Sequence, residues 1–211
     1  MPKKKKVVPC VIGIDPSYTG FAMCVMRTAP AMEIGFKMYE WKTMTAAGMV
    51  GRIGRVKHLV ANAMEVVEEH KPQLVVIENY AFGARNSKTL TMLAELGGAL
   101  RRDVIFFEAP KTKKRPLVIE VSPTMLKMFA TGKGRAQKQD VAFALGRDWM
   151  PANAPMISKR FGCFKTDNQA DAYGLAAMGA MALGCLDPQH KHHKTSCIKV
   201  QEEIAKELKA C

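Results

Sequence analysis

The stretch Val11-Ile-Gly-Ile-Asp15-Pro-Ser-Tyr-Thr-Gly20 decides how the chain is read. It closes an apolar, β-branched run, Val7 to Ile14, of the length of a buried strand, and Pro16 and Gly20 mark a turn directly after it. Asp15 therefore stands at a strand end, where a side chain can project from a sheet while its backbone stays anchored. Beyond the turn, Phe21 to Arg27 and Ile34 to Thr43 read as two further strands, and short connections make the three an antiparallel meander. From Met49 to His70 apolar residues recur at three-and-four spacing, which predicts an amphipathic helix ended by Lys71-Pro72. Leu74-Val-Val-Ile77 is a continuous apolar run, as expected of a strand covered on both faces, and Glu78 follows it as Asp15 follows the first strand.

Later segments alternate. A helix is expected over Ser87 to Leu100, then strands at Val104 to Phe107 and Leu117 to Val121 around the basic loop Lys111 to Arg115. Helices follow at Pro123 to Phe129, Gln137 to Trp149, Asn168 to Leu183 and Lys199 to Ala210. A meander followed by alternation describes a mixed α/β sheet with helices on its faces. The expected organisation is one domain over 1–184, beginning with a short basic arm, and a tail over 185–211 that holds a Cys/His-rich loop and a charged helix.

Thirty-two Lys and Arg against nineteen Asp and Glu give a formal charge of +13, an excess that favours a polyanionic partner, nucleic acid first. Hydrophobic residues at 48% and charged residues at 24% exclude a disordered or collagen-like chain. No run approaches the roughly 18 to 20 apolar residues of a membrane span, and no apolar signal core is present, so a cytoplasmic protein is expected. Lys3 to Lys6 read as a solvated arm lying near phosphates; as a targeting signal they would instead send the chain to the nucleus. Six scattered cysteines form no disulfide framework.

Asp167 and Asp171 open an apolar helix, where the helix dipole favours negative charge. If the two acid-ended strands are neighbours and this helix begins beside them, Asp15, Glu78, Asp167 and Asp171 converge. Carboxylates held together repel, so such a cluster is stable mainly with divalent cations, and Mg²⁺ or Mn²⁺ suit hard oxygen ligands. Two ions roughly 3.5 to 4 Å apart can activate a water and stabilise the departing oxygen in phosphodiester cleavage. Taken singly, an acid at a strand end is usually a turn former and one at a helix start usually a cap. Cys185, His190, His193 and Cys197 offer zinc-type ligands within one loop, against the alternative of a solvated basic tail.

Four blocks in order, Ile12-Gly-Ile-Asp15-Pro-Ser-Tyr-Thr-Gly20, Val75-Val-Ile-Glu78, Ser122-Pro-Thr-Met-Leu-Lys127 leading to Gly132-Lys-Gly-Arg-Ala-Gln-Lys138, and Asp167-Asn-Gln-Ala-Asp171-Ala172, resemble those of the RuvC-type Holliday-junction resolvases. The likeness covers roughly Val11 to Leu183, and the departures in its last block fit a phage or viral member. The resemblance implies a ribonuclease H-like fold with a five-stranded mixed sheet and helices on both faces. It also implies that Asp15, Glu78 and Asp171 are metal-binding catalytic acids. Asn168 stands where the family's fourth acid usually does, three residues before Asp171, and Asp167 lies one position early; Asp167 is taken as the acid and Asn168 as a further ligand. Lys127 and Lys138 match basic positions beside the scissile phosphate, with Lys133 and Arg135 adding general phosphate attraction. Tyr80 or Phe82 matches an aromatic that stacks on unpaired bases, next to Arg85 and Lys88.

The implied activity is resolution of a four-way junction by paired symmetric nicks, each leaving a 5′-phosphate and a 3′-hydroxyl. The junction's two-fold symmetry calls for a homodimer, joined through the Met49–His70 helix or the Ser87 helix. The rival readings are a nuclease for flaps and forks, a junction-binding protein without catalysis, and a ribonuclease for RNA–DNA hybrids.

Overall fold

The computed structural model describes residues 9–28, 34–41, 51–79, 87–110, 113–150 and 154–210. Strand β1 (Cys10–Asp15) is buried at every position, as its unbroken apolar run requires. It pairs antiparallel with β2 (Phe21–Thr28), which pairs antiparallel with β3 (Ile34–Trp41). On its other side β1 pairs in parallel with β4 (Leu74–Glu78), and β4 with β5 (Leu117–Val121). Among the described residues the sheet thus has five strands in the order β3-β2-β1-β4-β5, the mixed topology expected.

Strand alternation divides the core into two layers. Ile12, Ile14, Val75 and Ile77 face α1 (Gly51–His70) and α2 (Ser87–Phe106), where Leu59, Ala63, Val67, Leu96 and Leu100 complete one cluster. Val11, Leu74 and Val76 face α3 (Pro123–Thr131), α4 (Lys138–Trp149), α5 (Asp167–Ala182) and α6 (Lys191–Ala210). Helices therefore cover both faces. No helix among the described residues is long and apolar enough to cross a membrane.

Helix α5 lies at the centre of the second layer, buried at Ala170 and continuously from Ala172 to Ala182. Its small residues let its backbone descend onto the sheet. A Cβ added to Gly13 would fall 2.2 Å from the Ala172 carbonyl oxygen and 2.4 Å from the Ala176 nitrogen. A Cβ at Gly179 would meet Val76 Cγ2 at 2.7 Å and Val11 Cγ1 at 2.8 Å.

Two segments depart from expectation. Val104 to Phe107 was expected as a strand, but it continues α2 through Phe106. The reason is the stripe Leu96, Leu100, Val104, which keeps the four-residue spacing and buries all three side chains against the sheet. The last helix was expected from Lys199 and begins at Lys191, because His193, Cys197, Val200 and Ile204 form a buried stripe one residue type richer than apolar counting detects. Helix α6 thereby packs on α3, α5 and β5.

Gly13→Ala is expected to destabilise the protein by about 1–3 kcal/mol in urea unfolding, because α5 has to lift from β1 to admit one methyl group. A variant as stable as the parent would mean that this contact does not constrain the fold.

Candidate active site

Alternation sends Asp15 to the same side of β1 as Val11 and Gly13, and Glu78 to the same side of β4 as Leu74 and Val76: the side on which α5 lies. The register pairs Ile14 with Ile77, so the two carboxylates follow at adjacent ends of parallel neighbours. Because Ala172 is seated on Gly13, Asp171 enters from the first turns of α5 beside both. One ligand oxygen from each of Asp15, Glu78 and Asp171 lies within 4.8 Å of the others. Among the described residues no other set of three or more His, Cys, Asp or Glu side chains comes so close.

The three acids open into a cavity of about 270 Å³ that Lys127, Lys138 and Asn168 also line. Lys127 is brought there by α3, which starts cleanly: Ser122 Oγ accepts from the Met125 nitrogen at 3.2 Å, and Pro123 opens the helix. Gly132, at φ 74°, closes that helix in the left-handed region and turns the chain toward α4, whose first residue is Lys138.

Electrostatics make the cluster costly while it holds no cation. Asp15 is only 6% exposed, and burial, followed by the charges of Glu78 and Asp171, raises its pKa well above the ordinary carboxylate range. Burial and then the Asp171 charge push Glu78 up to about 8, against the opposing pull of Lys138 and Lys127. Asp171 is pushed up to about 6, chiefly by burial. None of the three has an ion-pair partner among the described residues. Asp167 behaves differently: burial alone would raise it, but its ion pair with Lys138 outweighs that and holds it below its usual value.

The structure thus separates the two neighbours at the start of α5. Asp167 faces Lys138, whereas Asn168 turns to the cavity and lies against the β1–β2 turn, where a Cβ at Gly20 would stand 2.2 Å from its Nδ2. Lys133 and Arg135 are exposed in the turn between α3 and α4. Lys88 lies in α2, but its side chain, like Tyr80, Phe82 and Arg85 entirely, falls outside the described residues.

Sequence reading missed the brace that fixes α5. Glu40 on β3 accepts from Thr166 Oγ1 and from Gln169 Nε2, each at 3.1 Å, while Thr166 Oγ1 caps the helix by accepting from the Gln169 nitrogen. Three residues from two distant segments therefore lock the end that carries Asp171. Only the cap was legible in advance, as a Thr ahead of an apolar helix.

The Cys/His segment is not gathered as a metal site. His193 is fully buried, and its Nδ1 accepts from the Gln189 and His190 nitrogens at 3.1 Å each. The proton of the neutral ring is thus left on Nε2, which lies 3.5 Å from Asp148 Oδ2 and has no hydrogen-bond partner among the described residues. Burial, followed by the neighbouring His192, depresses His193 to about 4, consistent with a neutral ring packed between Phe129 and Trp149. Cys197 is buried in the core, and Cys185 Sγ instead reaches the Leu183 carbonyl at 3.6 Å.

The sheet order, the helices on both faces and acids at the ends of β1, β4 and the start of α5 define a ribonuclease H-like domain. It is similar in fold to the solved RuvC of Thermus thermophilus, with a TM-score of 0.60 at 21% identity over 85% of this chain and 99% of that one. The structure of the yeast mitochondrial Holliday junction resolvase gives a TM-score of 0.53 at 14% identity over 82% of this chain and 78% of that one. The chain belongs to the crossover junction endodeoxyribonuclease RuvC family, whose model matches residues 11–148. Among curated relatives, the RuvC of Carboxydothermus hydrogenoformans is 26% identical over 83% of this chain and 98% of its own length. That of Chlorobaculum parvum is 29% identical over 65% and 67%.

The raised Glu78 has a definite sign in stability. A folded-state pKa of about 8 against an ordinary 4.5 makes its contribution fully present below about pH 4.5 and lost as pH rises through 8. In calorimetry without metal, the melting temperature of the parent relative to Glu78→Gln is expected to fall between those limits. Added Mn²⁺ should raise the parent more at the alkaline end than at the acid end. A difference between parent and variant that does not change with pH would show that Glu78 is not under this strain.

Proposed function

We propose that this protein is a metal-dependent endonuclease that resolves four-way DNA junctions, acting as a homodimer that makes paired, symmetric nicks. The observation that carries the reading is the trio Asp15, Glu78 and Asp171, one buried and two half-buried carboxylates that form no ion pair among the described residues, in a cavity walled by Lys127 and Lys138. An all-oxygen set of this charge suits a hard divalent ion, Mg²⁺ or Mn²⁺, two per site. Asn168 offers a neutral carbonyl to the same cavity. When bound, the ions supply an activated water and positive charge opposite the departing oxygen.

The chain's own residues account for the remaining steps. Asp15, Glu78 and Asp171 hold the ions, and Lys127 binds a non-bridging oxygen of the phosphate being cut. Asp167 acts through Lys138: their ion pair keeps the ammonium charged and aimed along the cavity wall, where it meets the same phosphate. Lys133 and Arg135, with Arg85 and Lys88, track the flanking backbone, and Tyr80 or Phe82 stacks on a base exposed at the crossover. The dimer follows from the two-fold symmetry of the substrate.

The test is cleavage of a labelled four-way junction beside linear duplex, flap and RNA–DNA hybrid, with Mg²⁺, with Mn²⁺ and with chelator. Symmetric nicking confined to the junction and abolished by chelator is expected. Asp15→Asn and Glu78→Gln should each reduce nicking at least about a hundredfold, while junction affinity changes little, because the basic surface is intact. Full nicking by either variant, or by the parent in chelator, overturns the assignment; equal cutting of flaps or hybrids overturns the substrate.

A further inference from the structure

The segment between α4 and α5 lies beyond the part of the chain that the family model matches. It forms a tight hairpin. The Ile157 and Ser158 nitrogens both donate to the Gly162 carbonyl, and the Gly162 nitrogen donates to the Ser158 carbonyl, each at 2.9 Å. Ser158 Oγ accepts from the Arg160 and Phe161 nitrogens at 3.2 and 3.3 Å, and Gly162 takes a φ of 61° to close the turn. The hairpin is also seated. A Cβ on Gly162 would meet the Phe143 ring of α4 at 3.2 Å, and Phe164 is buried against Tyr173 at a ring separation of 5.3 Å. From Phe164 the chain runs through Lys165 into the Thr166 cap and the acids of α5.

This rigid hairpin presents charge that nothing in the fold uses. Between Met150 and Thr166 the sequence holds Lys159, Arg160 and Lys165 and no acid. All three are exposed, and among the described residues none forms an ion pair. Arg160 lies over the Phe161 ring at 5.2 Å, which extends it as a flat cation, and Met156 and Ile157 stand beside the tip 71% and 53% exposed. Cations next to unsheltered apolar side chains suit a polyanion that also offers sugar and base faces. Along α4, the hairpin's seat at Phe143 and Gly146 is five to eight residues from Lys138, or roughly 8 to 12 Å. A seat at that distance lies within about two to four base-pair steps of the cavity.

We propose that the 156–163 hairpin is a second DNA-binding element of this chain. Lys159 and Arg160 hold phosphates two to four base pairs from the cut, and Met156 and Ile157 rest against the adjoining sugars. The inference depends on branched DNA being the substrate. Its test is binding, in chelator, to a four-way junction with native linkages and to one with uncharged methylphosphonates at those positions. Three proteins are compared: the parent, Lys159→Ala/Arg160→Ala, and Lys206→Ala/Lys209→Ala, which removes the same charge from the far end of α6.

The hairpin variant is expected to lose roughly tenfold in affinity and about 1.8 in the slope of log affinity against log salt. Methylphosphonates should weaken the parent and the α6 variant to a similar degree and leave the hairpin variant unchanged. If they weaken the hairpin variant as much as the parent, or if the α6 variant loses as much on native DNA, the proposal fails. Nicking measured in parallel with Mn²⁺ separates the two claims. A parent that binds and shows the hairpin effect without nicking overturns the nuclease reading alone, and a parent that does not bind junction DNA overturns both.

Discussion

The contact between the α5 backbone and the β1 backbone at Gly13 sets the depth and the rotation of everything on that face of the sheet. A helix can come so close only if it carries almost no side chain on the meeting face, and α5 meets this with Ala172, Ala176 and Gly179. Glycine inside a helix costs about 1 kcal/mol relative to alanine, a loss offset here by apolar contact with Val11 and Val76. The same descent puts Asp171 beside Asp15 and Glu78. A side chain at Gly13 large enough to lift the helix would separate the acids before it altered any of them.

That arrangement also creates electrostatic strain. Burial raises all three carboxylates, with the charges of Glu78 and Asp171 adding at Asp15 and that of Asp171 at Glu78, so the cluster destabilises the fold while it holds no cation. The surrounding structure absorbs the cost through rigid supports. Glu40 and Thr166 fix the first turn of α5, and Asp167 holds Lys138 at the wall. The neighbours Asp167 and Asn168 point different ways, one to the Lys138 ammonium and the other to the cavity. Family likeness in the strands and in α3 and α4 coexists with a hairpin and a packed α6 that lie past the matched residues.

Much of this was legible in order along the chain. The apolar runs at β1 and β4 are strong local signals, and an acid directly after each is visible to inspection. Helices α1, α3, α4 and α5 are legible as helical runs of apolar residues. Val104 to Phe107 was misread because four apolar residues in a row satisfy a strand and a helix end equally, and only the sheet beneath Leu96, Leu100 and Val104 selects the helix. The start of α6 was missed because a neutral, buried His193 occupies a core position that its residue type conceals.

Sequence alone determined the identity and order of the acidic residues, the mixed α/β class and the basic excess, because each is written in local composition and spacing. Tertiary structure alone decided which acids meet. The pairing of β1 with β4 and the seating of α5 are long-range contacts, and they bring Asp15, Glu78 and Asp171 together from positions scattered over most of the chain. It also decided that Asp167 faces Lys138 while Asn168 faces the cavity, since a one-residue step on a helix turns a side chain by about 100° and only the packed helix fixes which direction is inward.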